Sequence, residues 1–458
     1  MKRRQFLQTG LFTSLTTAAA MQFYAKEESN SVNLPTTLRE EAREISIGGY
    51  YDVIICGGGP AGVSAALAAA RQGAKTLLLE SNGCLGGIWT AGILPWIINH
   101  GQPGIMAELK TKLKEMDAVC PIPAPSFAFD PEKLKLLLEN LCDEASVDFL
   151  LHTKIVATVK LSNRMISHVV TESKSGRQAW GGTVIVDCTG DGDVAAQSGC
   201  GFDVGNEEGQ MQPGSLLDLI DGIKFEELKE FIRSNQDKKS ASKGHLLKLI
   251  RSLGIEPTYK SPAIYPIRED LFWVMMHHAY QVRFDDARSI TRHTVEGRKE
   301  LHRIINTLRA SGGVWKNIHL IGTAEQMGIR EARRIHGLYK VTVDDILKGI
   351  KHEDAVCRVH AGFDVHQLDT VTNHGGTSRP EGKSMPYDIP SRALIAKDID
   401  NLLMAGRCIS GDFLAHSSYR VTGPATVLGE AAGKIAAEAV AKQIQPKEVK
   451  LSSKLSNS

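Results

Sequence analysis

The spacing of apolar residues predicts a β-α-β unit near the start of the chain. Residues 51–56 form a continuous apolar run, which is typical of a buried strand. Residues 60–72 are rich in alanine and have helical periodicity, and Gly73 marks the end of that helix. A second buried run follows at 76–80. The unit spans about 30 residues, the usual size of a strand, a crossover helix and a parallel strand.

The same theme returns at the end of the chain. Residues 401–405 form another apolar run before Gly406, and 424–442 are alanine-rich with helical spacing. Between the two ends, 131–144 is amphipathic and 148–187 breaks into short β-rich runs that end in the strand 183–187. Both ends of the chain are therefore expected to build one doubly wound α/β domain of the Rossmann type.

The middle of the chain has a different pattern. Long charged amphipathic stretches, such as 225–253 and 296–310, indicate a largely helical insertion with strands at 271–276 and 318–321. The predicted order is a leader (1–25), a linker (26–49), a split nucleotide-binding domain (51–205 and 371–442), a helical covering domain (206–370) and a polar tail (443–458).

Composition narrows the class of protein. The 458 residues are 42% hydrophobic and 23% charged, which is ordinary for a globular protein. The net charge is +2, and three of the basic residues lie in the leader, so the rest of the chain is close to neutral. This balance argues against nucleic acid as a partner.

The first residues resemble a twin-arginine export signal. Arg3 and Arg4 precede an apolar run at 11–20 that contains the small-residue pattern Ala18-x-Ala20. The run is too short to span a bilayer, so an integral membrane protein is not expected. The resemblance implies the twin-arginine machinery as a partner and a periplasmic location for the folded protein. The alternative is an ordinary basic terminus.

A glycine-rich turn carries the clearest chemistry. Residues 57–62 fit the G-x-G-x-x-G pattern between a predicted strand and a predicted helix, and an acidic residue lies 18 positions after the last glycine. These features are the dinucleotide-binding fingerprint, in which backbone N–H groups approach a pyrophosphate and the acid accepts a bond from a ribose hydroxyl. The residues concerned are Gly57, Gly59, Pro60, Ala61, Gly62 and Glu80.

Three later turns favour FAD over NAD. They lie after the strands that end near residues 80, 188 and 405, and together they resemble the turns of glutathione-reductase-type flavoproteins. The residues are Ser81, Gly86 and Gly87, then Thr189, Gly190 and Asp191, and finally Gly406 and Arg407. Val156 and Gly423 complete the set expected near the cofactor.

Several motifs together resemble the bacterial FAD-dependent oxidoreductase family, which is related to fumarate reductase flavoproteins. They are Leu85-Gly86-Gly87, residues 187–193, 209–213 and 328–334, and the run 401–410. The resemblance implies bound FAD and names no substrate. Many relatives carry an acid where Arg407 stands, so Asp191 and Asp412 are candidates to replace it at the ribityl chain.

The candidate catalytic residues are Arg420, His416, His374 and Arg330. The elements around His374 and around His416 and Arg420 loosely resemble the carboxylate clamp of fumarate reductases, where an arginine fork binds a carboxylate and a histidine moves a proton. Arg330 is predicted at a helix start. Each has a structural alternative, such as an ion pair for Arg420, a backbone bond for His416 and a solvated charge run for Arg330.

The expected reaction is hydride transfer between FAD and a small organic substrate. The sequence contains no paired cysteines beside the glycine-rich turn, no metal motif and no second dinucleotide fingerprint. The electron donor or acceptor therefore stays unidentified. A flavin monooxygenase and a non-enzymatic electron-transfer flavoprotein are the alternatives.

Overall fold

A parallel sheet organises the two ends of the chain. The computed structural model describes residues 37–368 and 382–451, and from Ile45 on the chain forms one compact unit. The central sheet has the strand order β5-β2-β1-β8-β7-β6, with β17 also paired to β8. The bounds are β1 (Ser46–Cys56), β2 (Thr76–Leu79), β5 (Asp148–Leu150), β6 (Lys154–Ser162), β7 (Met165–Ser173), β8 (Gly176–Asp187) and β17 (Leu402–Met404).

Helices cover this sheet as the apolar pattern predicts. They are α1 (Pro60–Arg71), α2 (Ile105–Glu115), α3 (Pro131–Glu144), α4 (Asp193–Gln197), α9 (Phe413–Tyr419) and α10 (Thr422–Lys442). Helices α5 to α8 lie in the middle of the chain and are described below. Helix α10 packs directly on α1, because a Cβ at Gly429 would lie only 2.0 Å from the carbonyl oxygen of Ala61. The first and last segments therefore share one core, and the α/β Rossmann-like fold is confirmed.

The middle segment contains more strand than predicted. A four-stranded antiparallel sheet, in the order β11-β12-β10-β13, forms its centre. Its strands are β10 (Asp218–Asp221), β11 (Ala263–Pro266), β12 (Phe272–Met275) and β13 (His319–Thr323). Its helices are α5 (Phe225–Leu228), α6 (Ala241–Ser252), α7 (Ala287–Ala310) and α8 (Val343–Lys348). The description of this segment as largely helical therefore needs correction, since four-residue strands are too short to produce a clear alternating pattern.

The two faces of this second sheet differ. Phe272 and Val274 pack with Leu301 and Ile305 of α7 in a separate apolar core. The opposite face carries aromatic side chains, which lie over a cavity. Three antiparallel pairs complete the described strands: β3 (Trp96–Ile97) with β4 (Phe127–Ala128), β9 (Phe202–Asp203) with β14 (Arg334–Ile335), and β15 (Ala355–Val359) with β16 (Tyr387–Pro390).

Three predicted boundaries differ from the structure. The linker ends earlier than residue 49, because Ser46 and Ile47 already pair with β8. The tail begins later than residue 443, because Val449 is buried in the main core. Arg330 lies in an extended segment after β13 and not at a helix start, since Gly328 pairs with Ser215. No helix in the described part of the chain is both long and apolar enough to cross a membrane.

Candidate functional site

One cavity of about 440 Å³ runs between the carboxyl ends of the parallel strands and the antiparallel sheet. Two helices begin at its wall, α1 behind Gly59 and Pro60, and α10 behind Val421 and Thr422. Neither helix has an acidic residue in its first turn. Free N–H groups and the positive end of each helix dipole therefore favour an anionic ligand in this cavity.

The glycines of the first turn have distinct roles. A Cβ added at Gly59 would meet no atom within 4 Å, so the space in front of this residue belongs to the cavity. A Cβ at Gly62 would lie 1.7 Å from the carbonyl oxygen of Gly57, so this glycine lets helix pack on strand. Open space at one glycine and close packing at the other are what a pyrophosphate cradle requires.

Glu80 ties this turn together from the end of β2. Its buried carboxylate accepts bonds from Gly58 N at 2.6 Å and from Asn82 N at 2.7 Å. The Asn82 amide at 2.8 Å and the Ser81 hydroxyl at 3.2 Å donate to the same oxygen as Asn82 N. The second oxygen carries only the Gly58 bond, which leaves it able to accept from a ribose hydroxyl.

Arg407 and Asp191 form a second polar group of the cavity wall. Arg407 Nη2 lies 2.6 Å from Asp191 Oδ1, and both residues line the cavity. Arg407 Nη1 is buried and has no acceptor within the described ranges. Asp412 is not available to replace Asp191, because it accepts bonds from Ala415 N and Val343 N at the start of α9. Glu80 can accept a hydrogen bond from a ribose hydroxyl, and Arg407 can donate one to an acceptor of the cofactor. These residues therefore fit a dinucleotide.

Twelve of the sixteen predicted cofactor residues line the cavity: Gly57, Gly59, Pro60, Ala61, Glu80, Ser81, Gly87, Thr189, Gly190, Asp191, Gly406 and Arg407. The other four lie off its wall. Gly62 and Gly86 shape the turn from behind, and Gly86 N donates to Gly58 O.

Val156 and Gly423 are each one position away from a lining residue. The neighbour of Val156, Ile155, lines the cavity, and Val156 itself lies at an irregularity in the pairing of β6 with β7. Gly423 packs against the backbone of Asn99, while its neighbour Thr422 lines the wall. Both residues are therefore next to the cavity wall and not part of it, and their contact with the cofactor stays a prediction.

Arg330 lies at the far end of the cavity, beside the antiparallel sheet. Its Nη1 donates to Pro213 O at 2.7 Å and to Ser215 Oγ at 2.8 Å, and its Nη2 lies 3.5 Å from the sulfur of Met275. All three partners are uncharged, and the guanidinium forms no ion pair with any described carboxylate. Burial, and then the charge of Arg420, lowers the pKa of Arg330 to about 10.

Arg420 shares this end of the cavity. Its Nη2 donates to Asp364 O at 2.6 Å and lies 3.2 Å from Asp364 Oδ2, while its Nε has no partner within residues 37–368 and 382–451. Burial lowers the pKa of Arg420. Burial opposes ionisation of Asp364, but His366, Arg420 and Arg330 together hold the pKa of this carboxyl below its ordinary value. Two cations therefore face one carboxylate.

His366 and Asp364 were missed by the sequence analysis. Both line the cavity, and His366 Nε2 lies 3.5 Å from Asp364 Oδ2. Burial, and then the charge of Arg330, lowers the pKa of His366 to about 4, so the ring is neutral near pH 7. The signal in the sequence is an acid and an imidazole two positions apart in a short stretch with no regular periodicity.

His416 is not brought to the cavity. His416 is fully buried in α9 with its ring against Tyr419, and burial lowers its pKa well below the ordinary value. It is absent from the cavity wall. Helix α9 is buried on all sides from Ala415 to Tyr419, so protein encloses the His416 ring. His374 lies outside the described residues.

Comparison with known proteins agrees with this geometry. The model of the FAD dependent oxidoreductase family matches residues 52–457. Over 34 residues the chain is 71% identical to the tRNA uridine 5-carboxymethylaminomethyl modification enzyme of Bacillus subtilis (strain 168). That match covers 7% of this chain and 5% of the enzyme, so the likeness is confined to a short stretch.

Solved structures are similar at low identity. A geranylgeranyl bacteriochlorophyll reductase-like protein from Thermoplasma acidophilum is 13% identical with a TM-score of 0.40, and the match covers 86% of this chain and 79% of that one. A p-nitrophenol 4-monooxygenase from Pseudomonas putida is 10% identical with a TM-score of 0.42, over 86% and 79% of the two chains. At these values neither substrate is transferred to this chain.

Proposed function

The chain belongs to the FAD dependent oxidoreductase family, and on that premise we propose that it transfers hydride between FAD and a small organic anion. The observation that carries the proposal is Arg330, a half-buried guanidinium on the cavity wall that hydrogen-bonds only to uncharged groups and shares the nearby Asp364 carboxylate with Arg420. Two guanidinium groups with one carboxylate between them leave a positive charge unbalanced away from bulk water, so an anionic ligand is favoured.

The residues divide between the two ligands. The turn at Gly59, the starts of α1 and α10, Glu80 and the Arg407–Asp191 pair would hold FAD, which supplies a hydride donor or acceptor when bound. Arg330 and the free Nε of Arg420 would bind and orient the anionic group of the substrate.

His366 would handle the proton that accompanies hydride transfer. Its ring is neutral, and its Nε2 faces Asp364, so Nδ1 is the atom left to accept or return a proton. Asp364 would fix the orientation of the ring and balance part of the charge of Arg420. The surrounding aromatic side chains would exclude water from this end of the cavity.

An anaerobic screen tests this proposal. The purified flavoprotein is mixed, oxidised or photoreduced, with matched pairs of an organic carboxylate and its amide, and flavin absorbance is followed. We expect bleaching or reoxidation with carboxylates only, and its loss in Arg330→Gln at unchanged flavin content. Reaction that requires oxygen and NAD(P)H would favour a monooxygenase, and no reaction with any pair would favour an electron-transfer role.

We also propose that the folded protein is exported by the twin-arginine route. The support is the sequence of residues 1–25, which lie outside the described part of the chain. Replacing both Arg3 and Arg4 with lysine should leave yellow, flavin-loaded protein in the cytoplasm, because receptors of this kind read the guanidinium pair. Normal export of that double variant would contradict the proposal.

A further inference from the structure

Three aromatic side chains line the cavity at the end that holds Arg330. Trp96, Tyr265 and Trp273 are all buried among protein atoms and all contribute to the cavity wall. The rings of Tyr265 and Trp273 stack at 4.0 Å with an interplanar angle of 4°, and Trp96 lies 4.8 Å from Tyr265 at 59°. They form a continuous aromatic wall, defined here by these three residues.

The antiparallel sheet explains why these rings meet. Tyr265 and Trp273 are direct cross-strand partners in β11 and β12. Trp273 and Met275 are two positions apart on β12, so they lie on the same face, and the sulfur of Met275 is 3.5 Å from Arg330 Nη2. The aromatic wall is therefore continuous with the guanidinium.

We propose that the substrate anion is an aromatic carboxylate, whose ring packs on the aromatic wall while its carboxylate meets Arg330. This inference rests on the proposed function. Aromatic rings favour other rings through stacked and edge-to-face contacts beyond simple burial of area. The indole Nε1 of Trp273 also has no acceptor among the described residues.

Other ligands suit this wall less well. An aromatic cage commonly binds a quaternary ammonium group, but here the charges of Arg330 and Arg420 would repel a cation. An aliphatic carboxylate would satisfy the guanidinium and bury area, but it would gain no ring-to-ring contact. The combination of rings and uncompensated positive charge therefore selects an anion with a flat aromatic body.

The test compares benzoate with cyclohexanecarboxylate, which has the same charge and a similar size but no aromatic ring. Affinities are measured on the FAD-loaded protein by calorimetry and by the change in flavin absorbance. We expect benzoate to bind about three- to tenfold more tightly. Equal affinities, or tighter binding of cyclohexanecarboxylate, would overturn the inference.

Variants locate the preference. Trp273→Leu and Trp96→Leu should each reduce the preference for benzoate, while Trp273→Phe should keep most of it. Trp315→Leu is the matched control, because Trp315 is an equally buried indole in the other apolar core and lies off the cavity wall. Flavin content and melting temperature identify any variant that fails to fold. If Trp273→Leu does not fold, the ligand preference of Trp96→Leu tests the inference. An unchanged preference in the folded wall variants would overturn the inference.

A different result would contradict the proposed function, independently of the preference for aromatic ligands. Arg330→Gln should weaken both carboxylates together, because both depend on the guanidinium. If both bind this variant as tightly as they bind the wild type, Arg330 is not the anion site, whatever the preference between the two ligands. If neither ligand binds the wild type at tens of millimolar, the aromatic inference and the anion site are both overturned.

Discussion

The two ends of the cavity are built from different materials. The FAD end consists mainly of backbone, with the turn at Gly59 and the starts of two helices, and its side chains Glu80 and Asp191 are already bonded to protein donors. The substrate end consists of side chains, including the aromatic wall and two guanidinium groups that share one carboxylate. A backbone cradle fits one shared cofactor, whereas side chains can be exchanged to fit different substrates.

The largest expected effect lies at the backbone end. Gly59→Val should abolish FAD binding without unfolding the protein, because the new side chain would occupy cavity space and touch no protein atom within 4 Å at its Cβ. Flavin absorbance and circular dichroism on one preparation measure both effects. Gly62→Val is the contrast, since its Cβ would meet the Gly57 carbonyl and should lower stability as well. Retained FAD in Gly59→Val would show that the pyrophosphate lies elsewhere.

The next effect lies at the side-chain end. Arg330→Gln should lower turnover by roughly thirty- to several-thousand-fold at constant flavin content, since loss of one partner of a buried charged pair costs about 2–5 kcal/mol. Arg330→Lys should recover little, because an ammonium group cannot replace the planar fork.

Arg420→Ala tests whether Arg420 binds substrate or only stabilises the fold at the substrate end of the cavity. Arg420 already pairs with Asp364, so its loss should lower turnover and also melting temperature. A change in melting temperature with unchanged turnover per flavin would remove Arg420 from substrate binding.

A smaller effect is expected at Glu80. Glu80→Ala should weaken FAD by about 1–3 kcal/mol, through the lost bond to ribose and the loosened turn at Gly58. Equilibrium dialysis against FAD measures the change. Ser64→Ala is a suitable control, because its hydroxyl bonds within α1 and lies off the cavity wall. Equal affinity of Glu80→Ala and wild type would exclude a role for this carboxylate.

The smallest effect is a shift in the titration of His366. Its pKa of about 4 is lowered by burial and by Arg330, so Arg330→Gln should raise it toward the ordinary value of about 6.5. Because the folded pKa lies below the unfolded one, the contribution of this group to stability is complete above about pH 6.5 and is lost as pH falls toward 4. NMR of the imidazole protons, with His366→Gln for assignment, follows the titration. An unchanged midpoint would place Arg330 farther from the ring in solution.

The backbone end could be predicted from sequence because its signals are local. The strand, the turn at Gly57 and helix α1 follow one another within the 26 residues 46–71, and their periodicity and glycines identify them without tertiary information. Twelve of the predicted cofactor residues accordingly line the cavity.

The side-chain end could not be predicted in the same way. Trp96, Tyr265 and His366 come from distant parts of the chain and share the cavity wall only in the folded protein. Arg330 is predicted at a helix start, but no helix forms there, and Gly328 just before it pairs with Ser215. The resemblance to a clamp motif predicts His416 in the site, but His416 lies in the buried helix α9 and is itself fully buried.

A crystal structure of the FAD-loaded protein with benzoate tests the central claim most directly. We expect FAD along Gly59 and Glu80, and the benzoate carboxylate within hydrogen-bond distance of Arg330 in the same cavity. A structure in which Arg330 and Arg420 both bind the cofactor itself, or in which benzoate lies outside the cavity, would contradict the account.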